Sequence, residues 1–223
     1  MNKVHVILHI QTSIDARADG FETDMGTYYQ LAETFSPDAF LSGADTMIKG
    51  RVSEDVPDWA YEVAKNFPSC SRSIMAIVDS KGRVRNWNAL KKQPFWRMPV
   101  ALCSRSTPEG HLEYLNEENV DVIIAGEERV DLKEALMEMN KRYGVKTVRV
   151  DSGGTLSAAL LREGLIDELS VIVTPCIVGG LSTNAMFSPS MLKPAQPIVL
   201  RLKHVEDLKN GTVWLKYDID KKD

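Results

Sequence analysis

The second half of the chain alternates between two hydrophobic patterns, one typical of buried strands and one typical of helices. Short continuous apolar runs predict strands that are covered on both faces, and apolar residues three and four apart predict amphipathic helices. The predicted strands span residues 100–103, 120–125, 145–150 and 169–174, and the predicted helices span residues 109–118, 132–143 and 155–163. Strands that alternate with helices predict βαβ units and a largely parallel sheet.

The two ends of the chain follow other patterns. Residues 198–205 and 212–219 alternate between apolar and polar side chains, and Asn210-Gly211 between them is a strong hairpin signal. The N-terminal part predicts strands at residues 4–10, 39–42 and 74–79 and a helix at 28–35, with an irregular or weakly helical stretch at 50–72. The predicted fold class is therefore α/β, with a mixed, mostly parallel central sheet flanked by helices and a C-terminal antiparallel hairpin.

Composition is that of an ordinary globular protein. The 223 residues are 43% hydrophobic and 26% charged, and they contain no internal repeat, low-complexity tract or linker. We therefore expect a single domain over residues 1–223. No apolar run approaches the roughly 18 residues of a membrane span, and no leader precedes the first predicted strand, so we expect a cytoplasmic protein.

Charge and cysteine usage limit the partners. The net charge is −4 and no basic face is visible, which argues against nucleic acid and anionic membranes. A phosphate on a small-molecule substrate must then be bound locally, by a few arginines or by backbone amides. Cys70, Cys103 and Cys176 have no metal-ligand spacing, so we expect neither a metal site nor a disulfide framework.

The most informative segment for chemistry is residues 148–156. A predicted strand ends at Asp151, two glycines follow, and the next predicted helix begins. Glycines let a ligand approach the backbone closely, and the amides of a helix N-terminus favour an anion. In an open α/β sheet, ligands bind beyond the carboxyl ends of the strands. The segment is therefore either a nucleotide-phosphate site or a tight turn capped by Ser152 or Thr155.

Several common motifs are absent from the chain. It contains neither G-x-G-x-x-G nor G-x-x-x-x-G-K-[ST], which disfavours a Rossmann dehydrogenase and a P-loop NTPase. The zinc deaminase signature, H-x-E together with P-C-x-x-C, is also missing. Hydride transfer from a bound cofactor remains compatible with the sequence, because the protein then supplies mainly orientation and electrostatics.

Residues 150–180, VDSGGTLSAALLREGLIDELSVIVTPCIVGG, resemble the signature of riboflavin-biosynthesis reductases within the dihydrofolate-reductase-like superfamily. Shorter matches precede it in the family's order. Residues 12–15, TSID, resemble Ser-Leu-Asp-Gly, and residues 38–46, DAFLSGADT, resemble Asp-Ala-x-x-x-Gly-x-x-Thr. Residues 77–80 and 104–105 fall at similar strand ends. The resemblance therefore covers nearly the whole chain.

The resemblance implies a dihydrofolate-reductase-like fold, NADPH as hydride donor and a homodimer. It implies a ribosylaminopyrimidine 5′-phosphate as substrate, whose sugar is opened and reduced to a ribityl chain. It also implies that Asp151 faces the substrate. The implied cofactor contacts are Gly43, Thr46 and Ser80, together with Gly153, Gly154, Thr155 and Leu156 around the NADPH phosphates.

Three departures from the family pattern bear on the substrate rather than on the reductase class. Ala16 stands where the family has Gly, and Asp151 stands where it has Glu. The Asp-Asp-Pro expected after Thr46 is missing, and the chain reads MIKGR over residues 47–51 instead. The Gly-Arg pair at the end of this stretch resembles the pair that follows a strand in dihydrofolate reductases.

Two aspartates are the candidate catalytic residues. Asp151 either hydrogen-bonds sugar hydroxyls or stabilises a developing iminium ion, unless it is only a carboxylate at a helix N-terminus. Asp15 either binds substrate or anchors a turn. Arg17 and Arg51 are candidates for the substrate phosphate, because arginine binds that anion through two parallel hydrogen bonds. His9 could approach the site, although a structural role is favoured.

Two alternative functions remain at this point. One keeps the fold and the cofactor but reduces a pterin, a folate or another small carbonyl or imine compound, which Gly50-Arg51 favours. The other is a dimeric NADP-binding protein without turnover. The retained carboxylates Asp15 and Asp151 argue against this second alternative.

Overall fold

Strands and helices alternate along most of the chain in the computed structural model, which describes residues 3–50, 55–56, 58–65, 72–94, 96–190 and 197–220. The strands are β1 His5–Ser13, β2 Ala39–Gly43, β3 Ser73–Val78, β4 Trp96–Cys103, β5 Asp121–Ile124, β6 Thr147–Val150, β7 Glu168–Thr174, β8 Leu200–Asp207 and β9 Val213–Ile219. The helices are α1 Met25–Glu33, α2 Ala44–Lys49, α3 Asp58–Lys65, α4 Trp87–Lys92, α5 Glu109–Glu117, α6 Leu132–Tyr143 and α7 Gly154–Arg162.

Contacts divide the chain into two compact units. The first comprises Met1–Val4 and Ser36–Val148, and the second comprises His5–Phe35 and Arg149–Asp223. Strand β6 begins in the first unit and ends in the second. The expectation of a single domain over residues 1–223 stays a prediction.

The first unit contains a parallel sheet in the order β5-β4-β3-β2. Strands β2 and β3 are continuous apolar runs in which almost every residue is buried, as expected of parallel strands covered on both faces. One core cluster includes the fully buried Trp87 of α4 and Leu115 of α5. The register places Gly43, the last residue of β2, beside Val78, the last residue of β3. The turns that follow these two strands therefore leave the sheet at the same edge.

The second unit contains strands in the order β1-β7-β9-β8. Strands β1 and β7 are parallel, whereas β9 and β8 pair antiparallel with their neighbours. The predicted fold class, a mostly parallel α/β sheet with a C-terminal antiparallel hairpin, is confirmed.

Local signals account for the best-predicted helix, α6. The Asp131 side chain accepts a hydrogen bond from the Glu134 amide at 2.8 Å and so caps the N-terminus. Gly144 ends the helix in the left-handed conformation, with φ of 71°. Leu132, Leu136 and Met139 form its buried face, as the spacing predicts.

The structure differs from the sequence prediction where elements are short. Helices α2 and α4, each of six residues, were not predicted, because they span fewer than two turns and so show little periodicity. Strand β4 begins four residues before the predicted start. The hairpin loop is longer than a two-residue turn, since Lys209, Asn210 and Gly211 all have positive φ.

No helix within the described ranges is both long enough and apolar enough to cross a bilayer.

His9 is the centre of a buried polar network in the second unit. Its Nε2 lies 3.2 Å from the Tyr28 carbonyl oxygen and its Nδ1 lies 2.9 Å from Ser170 Oγ. A carbonyl only accepts, so Nε2 carries the proton and Nδ1 accepts from the Ser170 hydroxyl. The same hydroxyl oxygen accepts the Trp214 indole N–H at 2.8 Å. Burial, reinforced by the charge of Arg149, lowers the His9 pKa to about 3 and keeps the ring neutral.

We predict that acidification destabilises the protein through His9. The unfolded chain takes up a proton near pH 6.5, but the folded ring does so only near pH 3, so stability falls as pH drops through this window. Between pH 7 and pH 5 the loss from this group is about 2 kcal/mol. Urea unfolding at both pH values measures it. His9→Gln should remove that share of the pH dependence and His204→Gln should not. An unchanged slope in His9→Gln would contradict the assignment.

Candidate active site

The turn between β6 and α7 leads into a helix N-terminus. Gly153 is the N-cap residue and, as a glycine, has no side chain with which to cap the helix. The Ser157 hydroxyl instead donates to the carbonyls of Ser152 and Gly153. The first-turn N–H groups have no acceptor within the helix. The nucleotide-phosphate site remains a prediction, alongside the turn capped by Ser152 or Thr155.

The four residues of the predicted phosphate-binding stretch have different surroundings. Gly153 and Thr155 are exposed, whereas Leu156 is buried and only its backbone can reach a ligand. A Cβ atom on Gly154 would lie 2.4 Å from the Ala185 carbonyl oxygen and 2.8 Å from the Ser188 nitrogen. Glycine at position 154 is therefore required by the chain's own segment, residues 185–188, whatever the turn binds.

Asp151 lies directly before this turn and is only partly exposed. Burial raises the pKa of its carboxyl group, although the Arg149 charge and a hydrogen bond with Tyr28 oppose the shift. The Tyr28 hydroxyl also lies within hydrogen-bond distance of the His9 carbonyl, at 3.1 Å. Burial is therefore the influence that favours the protonated carboxyl group, whereas Tyr28 and Arg149 both favour the carboxylate.

Arg149 is the basic residue nearest to this carboxyl group along the chain. Its side chain is almost completely buried, and its guanidinium donates to Glu33 at 3.2 Å. It also lies over the ring of Tyr29, 5.8 Å from the ring centre. Burial and the Asp151 charge raise the pKa of Tyr29, so this ring stays neutral. The sequence analysis did not select Arg149 or Tyr28, because each lies within an ordinary strand or helix pattern.

Asp15 has the surroundings of a turn anchor. Its carboxylate accepts hydrogen bonds from the Ser13 hydroxyl at 2.6 Å and from the Val178 and Gly179 amides at 3.0 and 2.8 Å. These bonds hold the Asp15 pKa well below its usual range. Of the two roles that the sequence left open, the contacts favour the structural one.

Two neighbours of Asp15 complete this turn. Ala16 adopts φ of 58°, a left-handed conformation in which the family's glycine has no steric cost. Arg17 Nε lies 3.7 Å from the Asp15 carboxylate, and Arg17 remains partly exposed. The other candidate for the substrate phosphate, Arg51, lies outside the described residues.

The remaining predicted cofactor contacts, Gly43, Thr46 and Ser80, belong to the first unit. Gly43 is the N-cap residue of α2, and Thr46 lies within that helix. Ser80 Oγ accepts the Val130 amide at 3.0 Å, and its carbonyl accepts the Thr107 hydroxyl at 3.1 Å. Ser80 therefore joins three loops.

The first unit also holds a buried pair that the sequence analysis missed. Asp79 and His111 are each about 1% exposed at the side chain, with Nε2 of the imidazole 3.6 Å from a carboxylate oxygen. The same oxygen accepts the amides of Arg83 at 2.6 Å and Val84 at 2.8 Å. Asp79 directly follows an apolar strand, which is a signal that could have indicated its role. The pair fixes the turn after β3.

Comparison with known proteins gives a family for the chain. A family model described as the RibD C-terminal domain matches residues 4–214. A protein of Archaeoglobus fulgidus named 2,5-diamino-6-ribosylamino-4(3H)-pyrimidinone 5′-phosphate reductase is 38% identical over 139 residues, which is 62% of this chain and 59% of that protein. A protein of the same name from Aquifex aeolicus is 36% identical over 105 residues, 47% of this chain and 46% of that protein. The matched part thus spans about half the length of these relatives.

A solved structure shows the same fold. A pyrimidine reductase-like protein of Corynebacterium diphtheriae superposes with a TM-score of 0.76 at 19% identity, covering 99% of this chain and 94% of that one. At this level of identity the likeness shows the fold alone.

We predict that Asp151→Asn does not destabilise the protein at neutral pH. The folded-state pKa of Asp151 is raised above 3.8, so ionisation destabilises the folded state increasingly as pH rises through and above that value. An amide avoids this effect, and the stability of the variant relative to wild type should increase from pH 4.5 to pH 8 in urea unfolding. Asp15→Asn is the control of opposite sign, since the lowered pKa of Asp15 stabilises the fold at neutral pH. A fall in the relative stability of Asp151→Asn would mean that Arg149 holds an ionised carboxylate.

Proposed function

Since the chain belongs to the RibD C-terminal domain family, we propose that it is an NADPH-dependent reductase of a ribosylaminopyrimidine 5′-phosphate in riboflavin biosynthesis. The observation that carries the proposal is the partly exposed Asp151, with its raised pKa, directly before the glycine N-cap of α7. The printed name of the Archaeoglobus fulgidus relative supports the substrate.

The α7 turn fits the pyrophosphate of a dinucleotide. Its exposed residues, Gly153 and Thr155, present first-turn amides toward an anion, and the helix dipole favours negative charge there. Gly154 and Leu156 contribute through their backbone, because one is packed against residues 185–188 and the other is buried. In the first unit, Gly43, Thr46 and Ser80 are the proposed cofactor contacts. NADPH supplies the hydride for C1′ of the sugar when it is bound.

Asp151 is the proposed proton donor. Opening of the ribosyl ring breaks the bond between C1′ and the ring oxygen, which needs a proton, and the exocyclic nitrogen lone pair forms the C1′ iminium. A protonated Asp151 gives that proton to the ring oxygen, and its carboxylate then stabilises the adjacent cation. Hydride addition to C1′ completes the ribityl chain. Burial keeps the acid proton on Asp151 before the reaction, and Arg149 and Tyr28 stabilise the carboxylate after it.

Asp15 is proposed to shape the turn after β1 rather than to transfer protons, because three hydrogen bonds hold it ionised. Arg17, partly exposed on this turn, stays our candidate for the substrate 5′-phosphate, together with Arg51. The alternative with a pterin or folate substrate depends on Gly50-Arg51 and is an outcome of the test below.

We expect the purified protein to consume NADPH when it is given the ribosylaminopyrimidine 5′-phosphate, as followed at the nicotinamide absorbance. Thr155→Asp should lower NADPH affinity at least about tenfold, because a carboxylate would lie where the pyrophosphate binds. The same charge favours the α7 N-terminus, so the melting temperature should be unchanged or higher.

Thr155→Asn, of nearly the same shape, is the neutral control and should bind NADPH like wild type. Turnover with dihydrofolate alone would favour the folate alternative. Binding of NADPH without turnover of either substrate would favour the non-catalytic alternative. Unchanged affinity in folded Thr155→Asp would show that the turn does not bind the cofactor.

We also propose a homodimer that buries one face of the C-terminal hairpin. Strand β8 is an edge strand, and Leu202 and Val205 are 54% and 60% exposed. A bulge between Leu202 and His204 places Leu202 and Val205 opposite Tyr217 and Leu215, on the same face of the hairpin. An exposed apolar face on an edge strand is typical of a protein interface.

Sedimentation should therefore show a dimer that Leu202→Glu together with Val205→Glu converts to a monomer. Arg201, whose side chain pairs with Asp218 on the opposite face, provides the control, and Arg201→Ala should remain dimeric. A wild-type protein that sediments as a monomer at all concentrations would exclude this interface.

A further inference from the structure

The buried Arg149 of the second unit interacts with two carboxyl groups, and only one of them belongs to the proposed reaction. We infer that Glu33 is a positioning residue for the proposed acid. By accepting a hydrogen bond from the Arg149 guanidinium, it leaves Asp151 as the carboxyl group that keeps its proton. The inference rests on the proposed function and adds to it the residue that sets the pH range of the reaction.

Local geometry brings these side chains to the same side of the sheet. Arg149 lies in β6 two positions before Asp151, and side chains two positions apart in an extended chain share a face. In α1, Tyr29 and Glu33 are four positions apart and so share a face of the helix. Arg149 contacts both of them: its Nη1 lies 3.2 Å from the Glu33 carboxylate, and its guanidinium lies over the Tyr29 ring.

The helix gives no reason of its own for an anion at position 33. Glu33 is the last residue of α1, where the helix dipole disfavours negative charge. The partner that stabilises this carboxylate is therefore Arg149, from another element.

Tyr29 shows that the three charged groups lie close together. Burial raises the pKa of its hydroxyl group most, Asp151 and Glu33 raise it further, and Arg149 opposes them. One hydroxyl group thus experiences both carboxyl groups and the guanidinium. We call Asp151, Arg149 and Glu33 the charge cluster.

The balance of charge in this cluster decides where a proton is held. Two carboxylates with one guanidinium leave an excess negative charge, whereas one protonated carboxyl group makes the cluster neutral. The Arg149 and Glu33 side chains are about 1% and 20% exposed, and net charge is costly where water is largely excluded. Since Glu33 accepts the hydrogen bond from Arg149, Asp151 is the member that holds the proton.

The other titratable groups around the charge cluster come from three elements. They are His9 of β1, Tyr28 and Tyr29 of α1, and Lys216 of β9. Burial keeps the first three neutral, and the charge of Lys216 acts on His9. The charge that acts on the Asp151 pKa is that of Arg149. How strongly it does so depends on how far Glu33 offsets it.

Carboxyl carbon-13 NMR titration of the protein without substrate tests the inference, with Asp151→Asn to assign the resonance. Glu33→Gln keeps the shape of the side chain and removes its charge, so the midpoint of the Asp151 titration should move at least about one pH unit lower. Combining it with Arg149→Met removes both charges and should return the midpoint to the wild-type value or above. Glu138→Gln is the matched control, because Glu138 pairs with Arg142 at 3.1 Å on a helix of the first unit.

The assay of NADPH consumption provides the second readout. Glu33→Gln should move the alkaline limb of the kcat profile to lower pH by the same amount as the titration. Activity should then fall about tenfold above this limb and stay within about twofold of wild type below it. A variant that is merely less stable would lose activity at every pH.

An unchanged Asp151 titration in folded Glu33→Gln would overturn the inference, and so would an equal shift in Glu138→Gln. A shifted titration with an unmoved kcat profile would also overturn it, because Asp151 would then not be the acid. If wild type reduces neither the ribosylaminopyrimidine phosphate nor dihydrofolate while the titration still shifts, the proposed function fails and the charge balance around Asp151 is supported.

Discussion

The proposed site in the second unit depends on how the protein surrounds the partly exposed carboxyl group of Asp151. A carboxyl group that loses part of its hydration needs protein partners in its place. Tyr28 and Arg149 provide these partners. Tyr28 is itself fixed twice to His9, through its hydroxyl and through its carbonyl. His9 belongs to β1 and Tyr28 to α1. The hydrogen bonds that hold α1 against β1 therefore also position Tyr28 beside the proposed acid.

Two aspartates near strand ends illustrate how environment assigns roles. Burial raises the pKa of Asp151, and Arg149 and Tyr28 oppose that rise. Asp15 is fully hydrogen-bonded by two amides and a hydroxyl, so its pKa falls. Two groups of the same chemistry thus have pKa values shifted in opposite directions by their surroundings.

The same structural device recurs in both units. Asp15 follows β1 and accepts two backbone amides of another turn, and Asp79 follows β3 and accepts two amides of its own turn. Each carboxylate holds the backbone of a loop in place through these hydrogen bonds. Both loops lie at the carboxyl end of a parallel strand, where α/β proteins bind their ligands. In the second unit this fixed turn presents Arg17.

The sequence by itself determined the elements whose signals are local: helix α6 between Asp131 and Gly144, the alternating hairpin strands, and the family signature over residues 150–180. Tertiary structure alone decided which residues far apart in the sequence are in contact. Asp15 meets Val178 across 163 positions, and His9 meets Ser170 across 161. Hydrophobic periodicity reports only on neighbours a few turns apart, whereas burial, pKa and the crowding at Gly154 depend on these distant partners. That is why the sequence could propose the site segment but not the surroundings of its side chains.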